Sequence, residues 1–70
     1  MKGKVSNRVR ECRLDADLTQ EALGALAGVS RQSVISIERG RYVPSLPLAL
    51  RLARIFACPS DELFRLEEDL

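Results

Sequence analysis

Side chains that can hydrogen-bond to the edges of nucleic-acid bases follow a short turn in the middle of this 70-residue chain. Arg31 and Gln32 come first, and Ser36 lies about one helical turn further on. Arginine can bond the O6 and N7 atoms of guanine, and glutamine can bond the N6 and N7 atoms of adenine. These residue types indicate a helix that reads double-stranded DNA. The competing interpretation of Arg31 and Gln32 is an ordinary solvated helix start.

Ile35 is the apolar member of the same run. An aliphatic side chain on a helix that faces DNA suits contact with the methyl group of thymine. Half-burial against a later helix or a neighbouring subunit is an equal alternative, and the sequence leaves both open.

A second group of polar residues suits contact with backbone phosphate. Gln20 stands at the start of a predicted helix, where free N–H groups attract anions. Arg39, Arg41 and Tyr42 follow the base-reading run in a predicted loop. Solvation of a helix start and of a charged loop is the competing interpretation of these residues.

Two short helices joined by a three-residue turn must position these side chains. Thr19 and Ser30 have the chemistry of helix N-caps, because their hydroxyl oxygens can accept backbone N–H bonds. Gly28 can take the left-handed conformation that ends a helix. A helix-turn-helix is therefore predicted over about residues 19–38, an arrangement that presents its second helix to the DNA major groove. Its predicted inner residues are Leu23, Leu26 and Ala27 of the second helix, and Val34 and Ile37 of the third.

Three further helices complete the predicted fold, which is mainly all-α. They are expected over residues 6–15, over about residues 46–57 after a Ser45 cap, and over residues 60–64. The predicted inner face of the fourth helix comprises Leu46, Ala49, Leu52, Ala53 and Phe56. Apolar and polar residues alternate over residues 64–68, so this segment could extend and pair with residues 4–6.

Two opposite charges fall on helix faces that otherwise point inward. On a helical wheel Arg13 lies on the apolar stripe of the first helix, and Glu38 lies on the inner face of the third. An unpaired buried charge costs several kcal/mol. We therefore predict an Arg13–Glu38 ion pair that holds the third helix against the first. Two solvent-exposed side chains are the alternative.

Charge is distributed unevenly along the chain, although the net charge is only +1. Residues 1–54 carry ten Lys or Arg against five acids, whereas residues 55–70 carry one Arg against five acids. The basic part can face phosphate while the acidic tail, residues 65–70, points elsewhere. Scattered solvated charge is an equal alternative. The length suits one domain, residues 1–70.

Composition argues against catalysis, metal binding and a membrane location. The chain has no histidine, and Cys12 and Cys58 are far apart, so an ordinary four-ligand zinc site cannot form. A glycine-rich phosphate loop and a convergent nucleophile and base are also missing, so no enzyme and no cofactor are predicted. Both cysteines are expected to be reduced and in or near the core. The lack of an apolar leader or long apolar stretch favours the cytoplasm.

One long segment carries a family resemblance: LTQEALGALAGVSRQSVISIERGRYVPSLPLALRLARIFACPSDELF. It resembles the lambda-repressor-like helix-turn-helix domain of Cro/Xre transcriptional regulators, through LTQ, GVSRQ, IERGRY, PSL and DELF. The similarity extends over about residues 5–64 and is greatest to the small stand-alone repressors of the cytolysin repressor type. Asp17 and Ala57 depart from the family, because they occupy positions where it often has glycine after a helix.

The resemblance implies a five-helix fold, a homodimer, and an inverted-repeat operator read by the third helix. In this type of repressor the chain ends pair as a small antiparallel ribbon, which favours strands at residues 4–6 and 64–68. The family ion pair maps onto Arg13 and Glu38. Family base contacts map onto Arg31, Gln32 and Ser36, and family phosphate contacts map onto Gln20, Ser33 and the loop Arg39–Tyr42.

Dimerisation is also expected on physical grounds, since one recognition helix contacts too few base pairs for high specificity. The residues predicted near the interface are Leu48, Leu50, Ile55 and Leu63. A dimeric repressor is the favoured function. The alternative is the antitoxin of a toxin–antitoxin pair, or a protein-binding adaptor on the same fold. A neighbouring toxin gene would favour the antitoxin, and an adaptor would lose no function when Arg31 and Gln32 become alanine.

Overall fold

The computed structural model describes residues 4–67, which form five helices and a two-stranded antiparallel sheet. In chain order these are β1 (Lys4–Asn7), α1 (Val9–Asp15), α2 (Gln20–Ala27), α3 (Arg31–Glu38), α4 (Leu46–Ile55), α5 (Ser60–Leu63) and β2 (Phe64–Glu67). The predicted fold class is confirmed, including the ribbon. The last three residues of the acidic tail lie outside the described residues. Of the helices within residues 4–67, none has the length and hydrophobicity to cross a lipid bilayer.

Side-chain caps begin the three helices for which the sequence predicted them. Thr19, Ser30 and Ser45 each accept a hydrogen bond from the backbone N–H three residues later. Such a bond satisfies one of the N–H groups that the first turn of a helix leaves without a partner. Gly28 ends α2 in the left-handed conformation, with φ of 77°. The helix-turn-helix boundaries are therefore those read from the sequence.

The ribbon shortens the first helix relative to its prediction. Residues 4–7 pair with residues 64–67, and Asn7 lies opposite Phe64. The Asn7 side chain then accepts a hydrogen bond from the Val9 N–H at 3.0 Å and donates one to the carbonyl oxygen of Ile37 at 2.9 Å. The helix therefore begins at Val9, and the prediction that it begins near Ser6 is wrong. Asn7 joins the start of α1 to the end of α3.

The core draws buried side chains from all five helices: Val9, Leu23, Ala27, Val34, Ile37, Leu48, Leu52, Ala53 and Leu63. Cys12 and Cys58 are half-buried against this core and are free thiols, as the sequence predicted. Burial raises the pKa of the Cys12 thiol, and the neighbouring Cys58 acts in the same direction. A raised pKa keeps Cys12 protonated and weakly nucleophilic.

Two predicted inner faces are rotated from their true positions. In α2 the side chain of Leu26 is exposed, because the buried stripe is Leu23, Gly24 and Ala27. In α4 the side chain of Leu46 is 71% exposed. Leu48, which was assigned outside the core face, is buried with Leu52 and Ala53. The predictions of inward positions for Leu26 and Leu46 are wrong.

Two of the four predicted interface residues belong to the core of the protomer itself. Leu63 is 0% exposed and Leu48 is buried, so neither retains the surface area that a second subunit would cover. The backbone reinforces this placement, because the Arg8 N–H donates to the Leu63 carbonyl oxygen at 2.9 Å. Their assignment to a dimer interface is wrong for this conformation. Leu50 remains exposed, and Ile55 is half-buried at the edge of the core.

Asp17 and Ala57 adopt left-handed backbone conformations, with φ of 57° and 51°. Both residues follow helices and stand where the resemblance led us to expect glycine. The left-handed region costs an L-residue roughly 1–2 kcal/mol, and aspartate tolerates it better than alanine. The helix ends are therefore kept, and backbone strain is stored at these two positions.

Replacing Ala57 by Gly should raise the free energy of unfolding by about 1 kcal/mol, because glycine removes that strain. The control is Ala25→Gly at an exposed interior position of α2, which should lower it by about 1 kcal/mol. Thermal unfolding followed by circular dichroism would compare the two variants. A loss of stability in both would contradict the assignment of strain to Ala57.

Candidate nucleic-acid interface

The turn between α2 and α3 is closely packed on both sides. On one side the Val29 N–H donates to the Gly24 carbonyl oxygen at 2.9 Å. A Cβ atom added at Gly24 would lie 2.7 Å from the Val29 carbonyl oxygen, which no real side chain tolerates without a shift. On the other side Arg51 of α4 donates from Nη1 to the Ala27 carbonyl oxygen at 2.8 Å. The direction in which α3 leaves the turn is therefore set by direct contacts.

The predicted base-reading residues lie on the side of α3 that faces away from the core. Val34 and Ile37 are buried, so Gln32 lies on the opposite side of the helix, and Arg31 lies on its flank at the N-terminal end; both are exposed. Within residues 4–67, neither of these side chains is engaged in a hydrogen bond to the protein. Ser36 is half-buried on the same side. The structure thus brings together three groups able to hydrogen-bond with an external partner.

Ser33 and Ile35 have environments that the sequence did not define. The Ser33 Oγ atom lies 3.1 Å from Oγ of the cap residue Ser30, and the side chain is half-buried. Ile35 is also half-buried, and it lines a hollow between α1, α2 and α3. Its partial exposure leaves contact with a thymine methyl group a prediction.

The predicted ion pair is present and buried. The Arg13 Nε atom donates to Glu38 Oε2 at 2.6 Å, and the Nη2 atom donates to Oε1 at 3.3 Å. The two side chains are only 10% and 4% exposed. The remaining nitrogen, Nη1, donates to the Leu18 carbonyl oxygen at 2.8 Å. Arg13 therefore fastens α1 to α3 and to the segment that leads into α2.

Gln20 joins this network, which the sequence did not predict. Its Nε2 atom donates to Glu38 Oε1 at 3.1 Å, so the side chain is held at the start of α2 and close to the end of α3. One N–H of the amide remains for an external acceptor, since an amide nitrogen carries two. Glu38 thus restrains Gln20 while leaving it able to donate.

The loop after α3 is exposed and carries the remaining predicted phosphate contacts. Arg39, Arg41 and Tyr42 all have exposed side chains. The loop backbone is nevertheless held to the helix, because the Arg41 N–H donates to the Ser36 carbonyl oxygen at 2.9 Å. Gly40 has φ of 72°, which allows this tight reversal. The cationic groups therefore project from a backbone that α3 holds in place.

Sequence reasoning missed two arginines. Arg51 contacts the turn from α4, and only the tertiary packing reveals this contact. Arg10 is exposed on α1 and lines the same hollow as Gln20 and Ile35. Arg10 precedes Arg13 by three residues, so the two side chains are neighbours on α1, and this spacing could have indicated that Arg10 lies near the buried ion pair.

No group of three or more His, Cys, Asp or Glu side chains within residues 4–67 is placed to hold a metal ion.

The helix α3 follows α2 after a closely packed turn, and it carries exposed polar side chains with arginines beside them. This arrangement is that of a helix-turn-helix DNA-binding domain. Residues 9–63 match the helix-turn-helix family of Cro/C1 type, and the chain belongs to this family. Its members are DNA-binding regulators of transcription.

Similar proteins agree with this assignment. The chain is 45% identical over 65 residues to the HTH-type transcriptional regulator YgzD of Bacillus subtilis, covering 93% of this chain and 98% of the relative. The crystal structure of the P22 c2 repressor with a synthetic operator is similar with a TM-score of 0.75 and 31% identity, over 77% of this chain and 82% of the repressor. The restriction-modification controller protein C.AhdI of Aeromonas hydrophila gives a TM-score of 0.70 and 38% identity, over 76% and 80% of the two chains.

Replacing Glu38 by Gln should lower the free energy of unfolding by about 3–5 kcal/mol, because the Arg13 charge would remain buried without an opposite charge. Glu11→Gln is the matched control. It removes one partner of the Arg8–Glu11 pair, whose side chains are 54% and 56% exposed, and it should leave the unfolding midpoint nearly unchanged. Urea unfolding would measure both variants. Equal effects would show that the buried pair contributes no more than the exposed one.

Proposed function

We propose that the protein is a repressor that binds an inverted-repeat operator as a homodimer, with α3 in the major groove. The observation that carries this proposal is the pair of uncommitted side chains, Arg31 and Gln32, at the exposed start of α3. The helix is anchored by Val34 and Ile37, so these side chains are presented on a rigid element. In this arrangement Arg31, Gln32 and Ser36 contact base edges, and Ile35 touches a thymine methyl group.

Backbone contacts would fix the register of α3 along the groove. Gln20, Ser33, Arg39, Arg41 and Tyr42 carry this role. They stand at the start of α2 and along α3 and the loop that follows it, on either side of the base-reading residues. Phosphate contacts position a protein on the duplex, and base contacts specify the sequence. The P22 c2 repressor, which has a similar fold, binds an operator, and this supports the same use of the domain here.

The dimer follows from the small size of one recognition surface. A single helix contacts too few base pairs, whereas two helices one turn of DNA apart double the readout. Leu50 on α4 supports this proposal, since it is exposed beside the half-buried residues of the same helix. Leu50 and Ile55 therefore remain the residues of the proposed interface. Repression follows most simply from a bound dimer that blocks RNA polymerase.

Selection from a random pool of DNA duplexes should enrich a two-fold symmetric site. Arg31→Ala and Gln32→Ala should each lower the affinity for this site by roughly 10-fold to 100-fold, because each lost base contact is worth about 1–3 kcal/mol. Arg65→Ala, on β2, is the control for loss of positive charge and should change the affinity little. Selection that enriches no sequence would contradict the proposal and would favour a protein-binding adaptor or antitoxin.

Leu50→Glu should shift the protein from dimer to monomer, because it places a charge in the proposed apolar interface. Leu14→Glu makes the same change at a similarly exposed leucine on α1 and should leave the dimer intact. Sedimentation equilibrium without DNA would report both masses. A wild-type monomer at the concentrations that saturate the operator, or equal dissociation by both variants, would contradict the assignment of Leu50 to the interface.

A further inference from the structure

A hollow of about 340 Å³ lies where α1, α2 and α3 meet. We call it the three-helix hollow, and it is lined by Arg10, Gln20, Ile35, Glu38 and Arg39. Each of the three helices contributes at least one polar side chain, so the hollow exists only because these helices are packed together. Sequence reasoning had placed Gln20 and Arg39 among the phosphate contacts, but it had assigned no role to Arg10.

The charge around the hollow is strongly positive despite the carboxylate of Glu38. That carboxylate is 4% exposed, and both of its oxygens accept hydrogen bonds from Arg13. Its charge is therefore compensated inside the protein. Arg10 and Arg39 are exposed, and within residues 4–67 neither forms an ion pair. Two uncompensated guanidinium groups therefore stand at one opening.

Neutral donors add to the two charges. Gln20, the first residue of α2, donates one amide N–H to Glu38, and its second amide N–H remains able to donate. Backbone N–H groups at the start of a helix are also attracted to anions. The hollow thus combines charged and neutral donors. The one carboxylate on its wall already holds bonds from Arg13 and Gln20, so its charge is not directed at the opening.

The hollow adjoins the side of α3 that is proposed to read bases. Ile35 and Arg39 are four residues apart and so share one face of α3, next to Ser36 on the helix surface. In helix-turn-helix docking the first helix of the motif crosses the sugar-phosphate backbone, so the start of α2, where Gln20 lines the hollow, would lie close to that backbone when α3 occupies the major groove. The ligand that the location favours is therefore an oxyanion of that backbone.

We infer that the three-helix hollow binds one backbone phosphate of the duplex, with Arg10 and Arg39 as charged ligands and Gln20 as a hydrogen-bond donor. The inference rests on the proposed function and adds Arg10 to the DNA-binding surface. Glu38 is a positioning residue here, since it acts on the phosphate only through Gln20. The buried ion pair consequently positions Gln20 for the phosphate, in addition to holding α1 and α3 together.

The first test compares Arg10→Gln with Arg65→Gln, which removes the same charge from exposed β2. Arg10→Gln should weaken binding roughly fivefold or more on the operator and on an unrelated duplex alike, since a phosphate contact carries no sequence information. It should also reduce the slope of log affinity against log salt by about 0.9 for each subunit. Arg10→Lys should restore most of both effects. Equal losses for Arg10→Gln and Arg65→Gln would overturn the inference.

The second test identifies the phosphate on the DNA. Operators that carry one neutral methylphosphonate each would be compared for binding to the wild type and to Arg10→Gln. At one position in each half-site the neutral linkage should weaken the wild type, yet have less than a twofold effect on the variant. Purely additive losses at every position would overturn the inference.

These outcomes separate the inference from the proposed function. If the wild type enriches a symmetric operator but Arg10 behaves like Arg65, the repressor proposal stands and the phosphate assignment fails. If no operator is enriched, the comparison of Arg10→Gln with Arg65→Gln on an unrelated duplex still tests the hollow, because phosphate contact does not require sequence recognition. Circular dichroism of the variants should match that of the wild type, since Arg10 is exposed.

Discussion

The ion pair between Arg13 and Glu38 determines how the first three helices are arranged. Taking two charges out of water is costly, and good geometry with further hydrogen bonds must offset that cost. Both oxygens of Glu38 are engaged, and Arg13 also binds the carbonyl oxygen of Leu18. Because the carboxylate also holds Gln20, the same contact reaches the surface proposed to bind DNA. Such a network tolerates little rotation of α3 relative to α1, so α3 is already oriented in the unliganded protein.

Local rules predicted the features that depend on neighbours in the chain. The caps at Thr19, Ser30 and Ser45 follow from hydroxyl chemistry, and the end of α2 follows from the freedom of Gly28. The Arg13–Glu38 pair could also be predicted, because two charges on inward faces constrain each other even without knowledge of the packing. These features include the turn and the orientation of α3, so the class of binding surface could be read from the sequence.

Features that depend on tertiary packing could not be predicted in the same way. A helical wheel gives the direction of Leu26 or Leu46 but not the position of the neighbouring helix, so both were placed inward although they are exposed. Leu63 shows the reverse error, since the short α5 turns it fully into the core. The spacing of Arg10 from Arg13 could indicate only that the two are neighbours on α1, because the proposed role of Arg10 depends on a hollow formed by three helices. Residue type indicates chemistry, whereas the location of that chemistry is a property of the assembled fold.

The antiparallel ribbon has a consequence for synthesis of the protein. It joins residues 4–7 to residues 64–67, and the Arg8 N–H donates to the carbonyl oxygen of Leu63, whose side chain completes the core. A nascent chain that has not yet emerged past residue 67 lacks both the strand partner of β1 and one of the largest core side chains. Translation is slow compared with the folding of small helical domains. The ribbon and the complete core therefore form only after residue 67 has emerged, near the end of translation of this domain.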